Sequence, residues 1–221
     1  MKQTFLAALL ISAAGLALAP LAQADTISIG MQQSGVNGGA ITTVMSGTSN
    51  ATFTGSYGSF TTNIVTGAED PSIVFPDLVF SNAIDTSSGT PGKLMVWVSG
   101  TDIAEPTVPA TVHSSFTANT IPAGWTVTEN TYYDASNATY GTGTLLGTAT
   151  FTARGVSTSD MPVAFTGSPF SITQEYIIVA TGAGSTNNTI DTRVPEPGSL
   201  LLLGTALIGL GGLGFVRRHR A

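Results

Sequence analysis

Apolar and polar residues alternate with period two in five separate stretches of the chain. Ile27, Ile29 and Met31 alternate with Thr26, Ser28 and Gly30, and Ala51, Phe53 and Tyr57 with Thr52, Thr54 and Ser56. Val112, Phe116 and Ala118 face one way and Thr111, His113, Ser115 and Thr117 the other. Trp125 and Val127 alternate with Thr126 and Thr128, and Ala149, Phe151 and Ala153 with Thr148, Thr150 and Thr152. Successive side chains of a strand point to opposite faces, so each stretch predicts a half-buried strand. Leu94–Val98 and Tyr176–Ala180 are apolar on both faces, which predicts central strands covered on both sides. Gly, Pro, Asn and Ser clusters at 37–39, 87–92, 105–109, 122–124 and 182–188 mark the turns. A helical period of useful length is missing from the body. The pattern predicts an all-β fold: a single antiparallel β-sandwich of roughly eight to ten strands over residues 25–181. A barrel or jelly roll is the nearest alternative. A solenoid lacks the fixed repeat it needs. Residues 182–194 are small and polar, and read as a flexible tether.

The two ends have a different pattern. Lys2 precedes a charge-free run from Phe5 to Ala19, Pro20 interrupts it, and Ala22-Gln23-Ala24 follows. A positive start, a short apolar core and small residues at Ala22 and Ala24 are the parts of a secretory signal peptide over residues 1–24, a signal helix cut after Ala24. At the other end Leu200–Val216 carries no charge. As a helix it would cover roughly 25 Å, close to the lower limit for a bilayer core. Arg217, Arg218, His219 and Arg220 come next. A basic cluster of this kind stays on the cytoplasmic side, which leaves the body outside.

Before this predicted transmembrane helix stands Val194-Pro195-Glu196-Pro197-Gly198-Ser199. Each proline fixes its own φ and holds the preceding residue extended, so this stretch should be stiff and open to a processing enzyme. Pro195-Glu196-Pro197, an apolar span and the Arg217, Arg218, Arg220 tail together resemble the PEP-CTERM sorting signal of Gram-negative bacteria. The resemblance covers residues 195–221. It implies an exported protein, held for a time in the inner membrane with a cytoplasmic C-terminus. A signal peptidase and an exosortase would process it for delivery to the outer surface or the exopolysaccharide matrix. The stretches beginning at Ile121 and Glu175 also resemble ectodomains of that group, which implies no particular reaction.

Composition narrows the chemistry. The 221 residues contain no Cys, which excludes disulfides, thiolate metal sites and a Cys nucleophile. Lys and Arg number 7 against 13 Asp and Glu, and the body has no basic cluster, which argues against nucleic acid as a partner. Only 9% of residues are charged, and Thr and Ser dominate the polar positions. His113 is the sole His of the body and alternates onto a polar face. Glu69-Asp70, Asp102 with Glu105, and Glu129 with Asp134 are the nearest carboxylate pairs, as a hydrolase would need, and all are expected solvated in or near loops. Gly47-Thr48-Ser49-Asn50-Ala51 loosely matches a nucleophile elbow but reads as a turn. Asp134, Ser136 and Asn137 offer oxygens suited to Ca²⁺ without the EF-hand spacing. No catalytic set, metal site or cofactor fingerprint emerges. Trp125, Tyr132, Tyr133 and Tyr140 lie close in sequence. Trp125 is expected in the core, and Tyr132, Tyr133 and Tyr140 are the candidates for stacking on sugars. The reading is a non-catalytic surface or matrix protein. Its alternatives are a carbohydrate-binding module, a secreted hydrolase and, from the Thr-rich faces, an ice-binding protein.

Overall fold

The computed structural model describes residues 26–69, 78–104 and 106–194. The signal-cleavage residues Ala22 and Ala24, the motif Pro195, Glu196 and Pro197, the apolar span, and Arg217, Arg218 and Arg220 lie outside these. No helix among the described residues is long and apolar enough to cross a membrane.

Twelve strands form two six-stranded antiparallel sheets packed as a sandwich. They are β1 (Thr26–Gln32), β2 (Thr42–Thr48), β3 (Asn50–Tyr57), β4 (Phe60–Glu69), β5 (Leu78–Ser88) and β6 (Gly92–Ile103), then β7 (Ala110–Thr120), β8 (Thr126–Asp134), β9 (Thr144–Phe151), β10 (Gly155–Val163), β11 (Phe170–Ala180) and β12 (Gly184–Val194). The first sheet runs β2-β1-β6-β11-β8-β9 and the second β10-β7-β12-β5-β4-β3. The five alternating stretches fall in or beside β1, β3, β7, β8 and β9: Trp125 immediately precedes β8, and Thr152 and Ala153, expected in a strand, lie exposed in the turn after β9. The two doubly apolar runs become β6 and β11, neighbours at the centre of the first sheet. Ile27, Ile29, Val96, Ile178, Ile64, Phe116 and Ile190 meet between the sheets, all fully buried, and Trp125 joins them as expected.

The count of twelve exceeds the eight to ten expected, and the largest error concerns residues 182–194. They are not a tether. Gly184–Val194 is β12, paired along its whole length with β5 and over much of it with β7. Its inward residues Thr186, Asn188, Ile190, Thr192 and Val194 are all buried. A polar strand can sit there because most of its inward polar groups find partners. Thr192 finds one in the facing sheet, and Thr186, which donates to the Thr120 carbonyl at 2.6 Å and accepts from Asn188 at 2.9 Å, within its own, while Asn188 Oδ1 takes no hydrogen bond among the described residues. Gln174 of β11 donates to the Phe80 carbonyl at 2.9 Å and to Thr192 Oγ1 at 2.7 Å, and accepts from Asn82. The Tyr176 hydroxyl accepts from the Ile190 N–H at 3.0 Å and donates to Asn82. These bonds tie β11 to the centre of the second sheet, and satisfied polar groups can be buried at little net cost.

Glu129 is the second correction. Far from being solvated beside a loop, it is an inward residue of β8 with 0% exposure. It alternates with Val127 and Thr131 on the face that meets the second sheet. Neither carboxylate oxygen makes a well-formed hydrogen bond among the described residues. Burial pushes its pKa up to about 8, and the Thr117 backbone offsets this only in part.

Candidate functional site

The outer face of the second sheet carries an open groove of about 480 Å³. It is built from outward positions of β3, β4, β5 and β12 and the end of β7. The strand register lays Thr54, Asn63, Asp85 and Asn187 in one row across the sheet, with Thr120 paired to Asn187 at its end. A second row places Ser56, Thr61, Ser87 and Ser185 side by side. Side chains directly opposite on antiparallel strands are close enough to bond, and these do. Thr54 Oγ1 donates to Asn63 Oδ1 at 2.8 Å, Asn187 Nδ2 donates to Asp85 Oδ1, and Asn119 Nδ2 donates to Asn187 Oδ1 at 2.7 Å. The Ser56 and Thr61 hydroxyls are 3.1 Å apart. The lining therefore offers hydroxyls, amides and one carboxylate, Asp85. It can exchange several directional hydrogen bonds with a polyhydroxylated ligand.

The three tyrosines proposed from sequence are separated by the fold. Tyr133 is an inward residue, 5% exposed, packed edge-on against Phe165 with ring centres 5.3 Å apart. Its hydroxyl accepts from the Thr166 and Gly167 N–H groups at 3.2 and 3.3 Å. Core packing at the mouth of the sandwich accounts for most of its surface, and the rest lines a second open cavity of about 400 Å³ with Asp134, Thr144 and Thr166.

Tyr132 and Tyr140 do share the outer face of the first sheet, but their hydroxyls are engaged within the protein. Tyr132 donates to Glu175 Oε2 at 3.1 Å; Asn130 donates to the same oxygen at 2.9 Å; Thr148 donates to Asn130 at 2.6 Å. Burial, then the charge and hydrogen bond of Glu175, push the Tyr132 pKa up to about 12. Tyr140 comes from the loop between β8 and β9, which folds back over this face. Its N–H donates to Ser99 Oγ at 3.1 Å and its hydroxyl to Thr43 Oγ1 at 3.0 Å. Burial raises its pKa, and the Thr43 bond moderates the rise. Gly30 lies beneath the ring, where a Cβ would come within 2.7 Å of it, so only glycine admits this cover. Under it Trp97 keeps 5% exposure and Ser99 and Thr173 none.

The other candidates have local roles. His113 Nδ1 lies 2.6 Å from Asp160 Oδ1 across β7 and β10, with side chains 39% and 69% exposed, a surface contact of small energetic weight. Asp134 Oδ1 accepts from the Ser136 N–H at 2.7 Å and hydroxyl at 2.6 Å, capping its own turn. Asn137 turns away to Asp102, donating to it at 2.9 Å. Asp134, Ser136 and Asn137 thus do not converge as a calcium cage, and no group of three or more His, Asp or Glu that could hold a metal occurs among the described residues. Ser49, at φ +63°, turns β2 into β3, so the expected turn shrinks to this one residue, with Gly47 and Thr48 in β2 and Asn50 and Ala51 in β3. Asp70 and Glu105 lie outside the described residues.

Sequence reading missed Asn63, Asp85 and Asn187. A signal was available: Asn and Asp are depleted from strands, and here they stand mid-strand at outward positions. Reading residues 182–194 as a tether hid the β12 part of the groove.

No family model matches this chain, and no curated protein matches it. Among solved structures, it is similar to the C-terminal CBM6 of LamC, a marine laminarinase from Zobellia galactanivorans, with 12% identity, 49% of this chain and 78% of that one covered, and a TM-score of 0.28. It is similar to TmCBM61 in complex with β-1,4-galactotriose at 8% identity, 61% and 88% coverage and a TM-score of 0.32. The adhesin domain of Epf from Streptococcus pyogenes gives 9% identity, 77% and 58% coverage and a TM-score of 0.34. At such identities and scores the likeness goes no further than an all-β fold.

Proposed function

We propose that this chain is an exported surface or matrix protein that binds polysaccharide without turning it over. The groove across β3, β4, β5, β12 and β7 carries this reading. Its side chains are the hydrogen-bonding complement of sugar hydroxyls, and they are already aligned in rows by the sheet. Its aromatic-free lining favours loose, repeated attachment along a polymer over tight capture of a single small molecule. The termini support the cellular half of the proposal. A signal peptide ending at Ala24 and a sorting segment of Pro195, Glu196, Pro197, apolar span and Arg217, Arg218, Arg220 would carry the protein through the inner membrane to the matrix, with signal peptidase and exosortase as processing partners.

The binding half is tested by retention of the full chain, in mild detergent, on insoluble polysaccharides. Asn63→Ala with Asn187→Ala should abolish retention, and retention unchanged by the pair would refute the groove. The sorting half is tested by the intact mass of the exported protein, which should lack both ends. Pro195→Ala with Pro197→Ala should leave uncut protein in the inner membrane.

A further inference from the structure

Resting on the polysaccharide reading above, we infer that the groove selects uncharged glycan chains and that Asp85 sets this selectivity. Asp85 stands in the middle of the bonded row, and its Oδ1 is fixed by the Asn187 amide, itself oriented by Asn119. The other carboxylate oxygen takes no hydrogen bond among the described residues, and the side chain is exposed. On its other flank Thr54 occupies Asn63 Oδ1, which leaves the Asn63 amide nitrogen to donate to a ligand. An acceptor and a donor held side by side on neighbouring strands suit two hydroxyls of one sugar ring.

No cation lines this groove. The described residues contain three Lys or Arg. Lys93 pairs with Val179 in the first sheet. Arg154 precedes Gly155, which pairs with Ala118 of β7, so it stands beyond the Asn119 end of the row, three strands and on the order of 14 Å from Asp85. Arg193 is six positions along β12 from Asn187, on the order of 20 Å away. Both distances from the backbone of the row exceed the roughly 8 Å over which charges are felt at physiological salt. Asp191, on the same strand as Asn187, adds another carboxylate to this face. A uronate or sulfate entering the row would meet Asp85 with no cation among the groove's lining residues to compensate it. A neutral chain meets only bonding partners, and the adjoining row, with Val65 at 52% exposure and Ala83 exposed, can take the C–H face of its rings.

The experiment is affinity electrophoresis of the full chain in mild detergent through gels containing one of four neutral polymers (mannan, galactan, xylan or β-glucan) or the polyuronate alginate. The wild type should be retarded by at least one neutral polymer and not by alginate. Asp85→Asn keeps an acceptor for Asn187. Its other side-chain atom becomes an N–H donor where the wild type accepts from sugar, so neutral retention should weaken, while alginate retention should rise by about tenfold or more. Raising salt should weaken the exclusion of alginate from the wild type. Equal retention by neutral and anionic polymers, or exclusion unaltered in Asp85→Asn, would overturn the selectivity while leaving the binding reading in place. No retention by any neutral polymer would overturn both.

Discussion

On the outer face of the first sheet, Tyr132, Asn130 and Glu175 bond to one another, and the loop bearing Tyr140 folds over the sheet beside them. On the outer face of the second sheet, Thr54 bonds to Asn63, and Asn119 to Asn187 and Asn187 to Asp85, two groups side by side in one register row, but Thr54, Asn63 and Asp85 stay exposed. Both faces use the same kinds of group on the same kind of scaffold. Cover makes the difference. Beneath a loop, a carboxylate with two donors holds the fold together; in the open, a carboxylate with one donor still has capacity for a ligand. The interior supplies a third case in Glu129, buried with only the Thr117 backbone to offset its desolvation among the described residues. The three acids should therefore respond to mutation in three different ways.

The rigid centre on which the open face is built gives the largest expected effect. Ile190→Ala, in the middle of β12, should cost about 4 kcal/mol in urea unfolding, as for other fully buried aliphatic side chains. A tether would register almost nothing. Glu129 comes next. Its folded pKa, about 8, is raised above the ordinary value of 4.5. The folded state thus keeps a proton that the unfolded chain has lost, and stability should fall as pH rises from about 4.5 to about 8. The slope approaches 1.4 kcal/mol per pH unit. Glu129→Gln should flatten that slope in melts taken across this range, and stabilise the protein by up to about 3 kcal/mol at pH 7. Loss of stability at pH 7 in this variant would mean that the carboxylate has a partner after all. Glu175→Ala on the covered face would strand Asn130 and Tyr132, at about 2 kcal/mol, without touching polysaccharide retention. Asp85→Ala on the open face should shift unfolding by less than about 0.5 kcal/mol while weakening retention on neutral polymer. Reversal of these last two results would exchange the roles of the two faces.

The sandwich itself was legible because apolar residues recur every second position in β1, β3, β7, β8 and β9, and no tertiary contact overrides that signal. The central pair β6 and β11 was legible because both faces of each read as apolar. Legibility failed where burial is achieved by polar groups. In β12 only Ile190 and Val194 are apolar among the inward residues. Thr186, Asn188 and Thr192 resemble loop composition until β7 is in place to bond Thr186 and Gln174 of the facing sheet to bond Thr192. Glu129 was misjudged for the converse reason, since a carboxylate beside a predicted loop is ordinarily wet and only the register of β8 turns it inward. For the tyrosines, sequence proximity stood in for spatial proximity. Alternation sends Tyr133 inward and Tyr132 outward, and the fate of Tyr140 depends on a loop whose return path rests on Gly30.

The placement of β12 has a mechanical consequence. The groove lies near its Gly184 end, and Val194, the last described residue, is at the other end of the same strand. A ligand pulling at the groove against restraint of the chain beyond Val194 would load β12 lengthwise. The hydrogen bonds to β5 and β7 would then share the force in shear, all resisting together, rather than opening one after another like a zip.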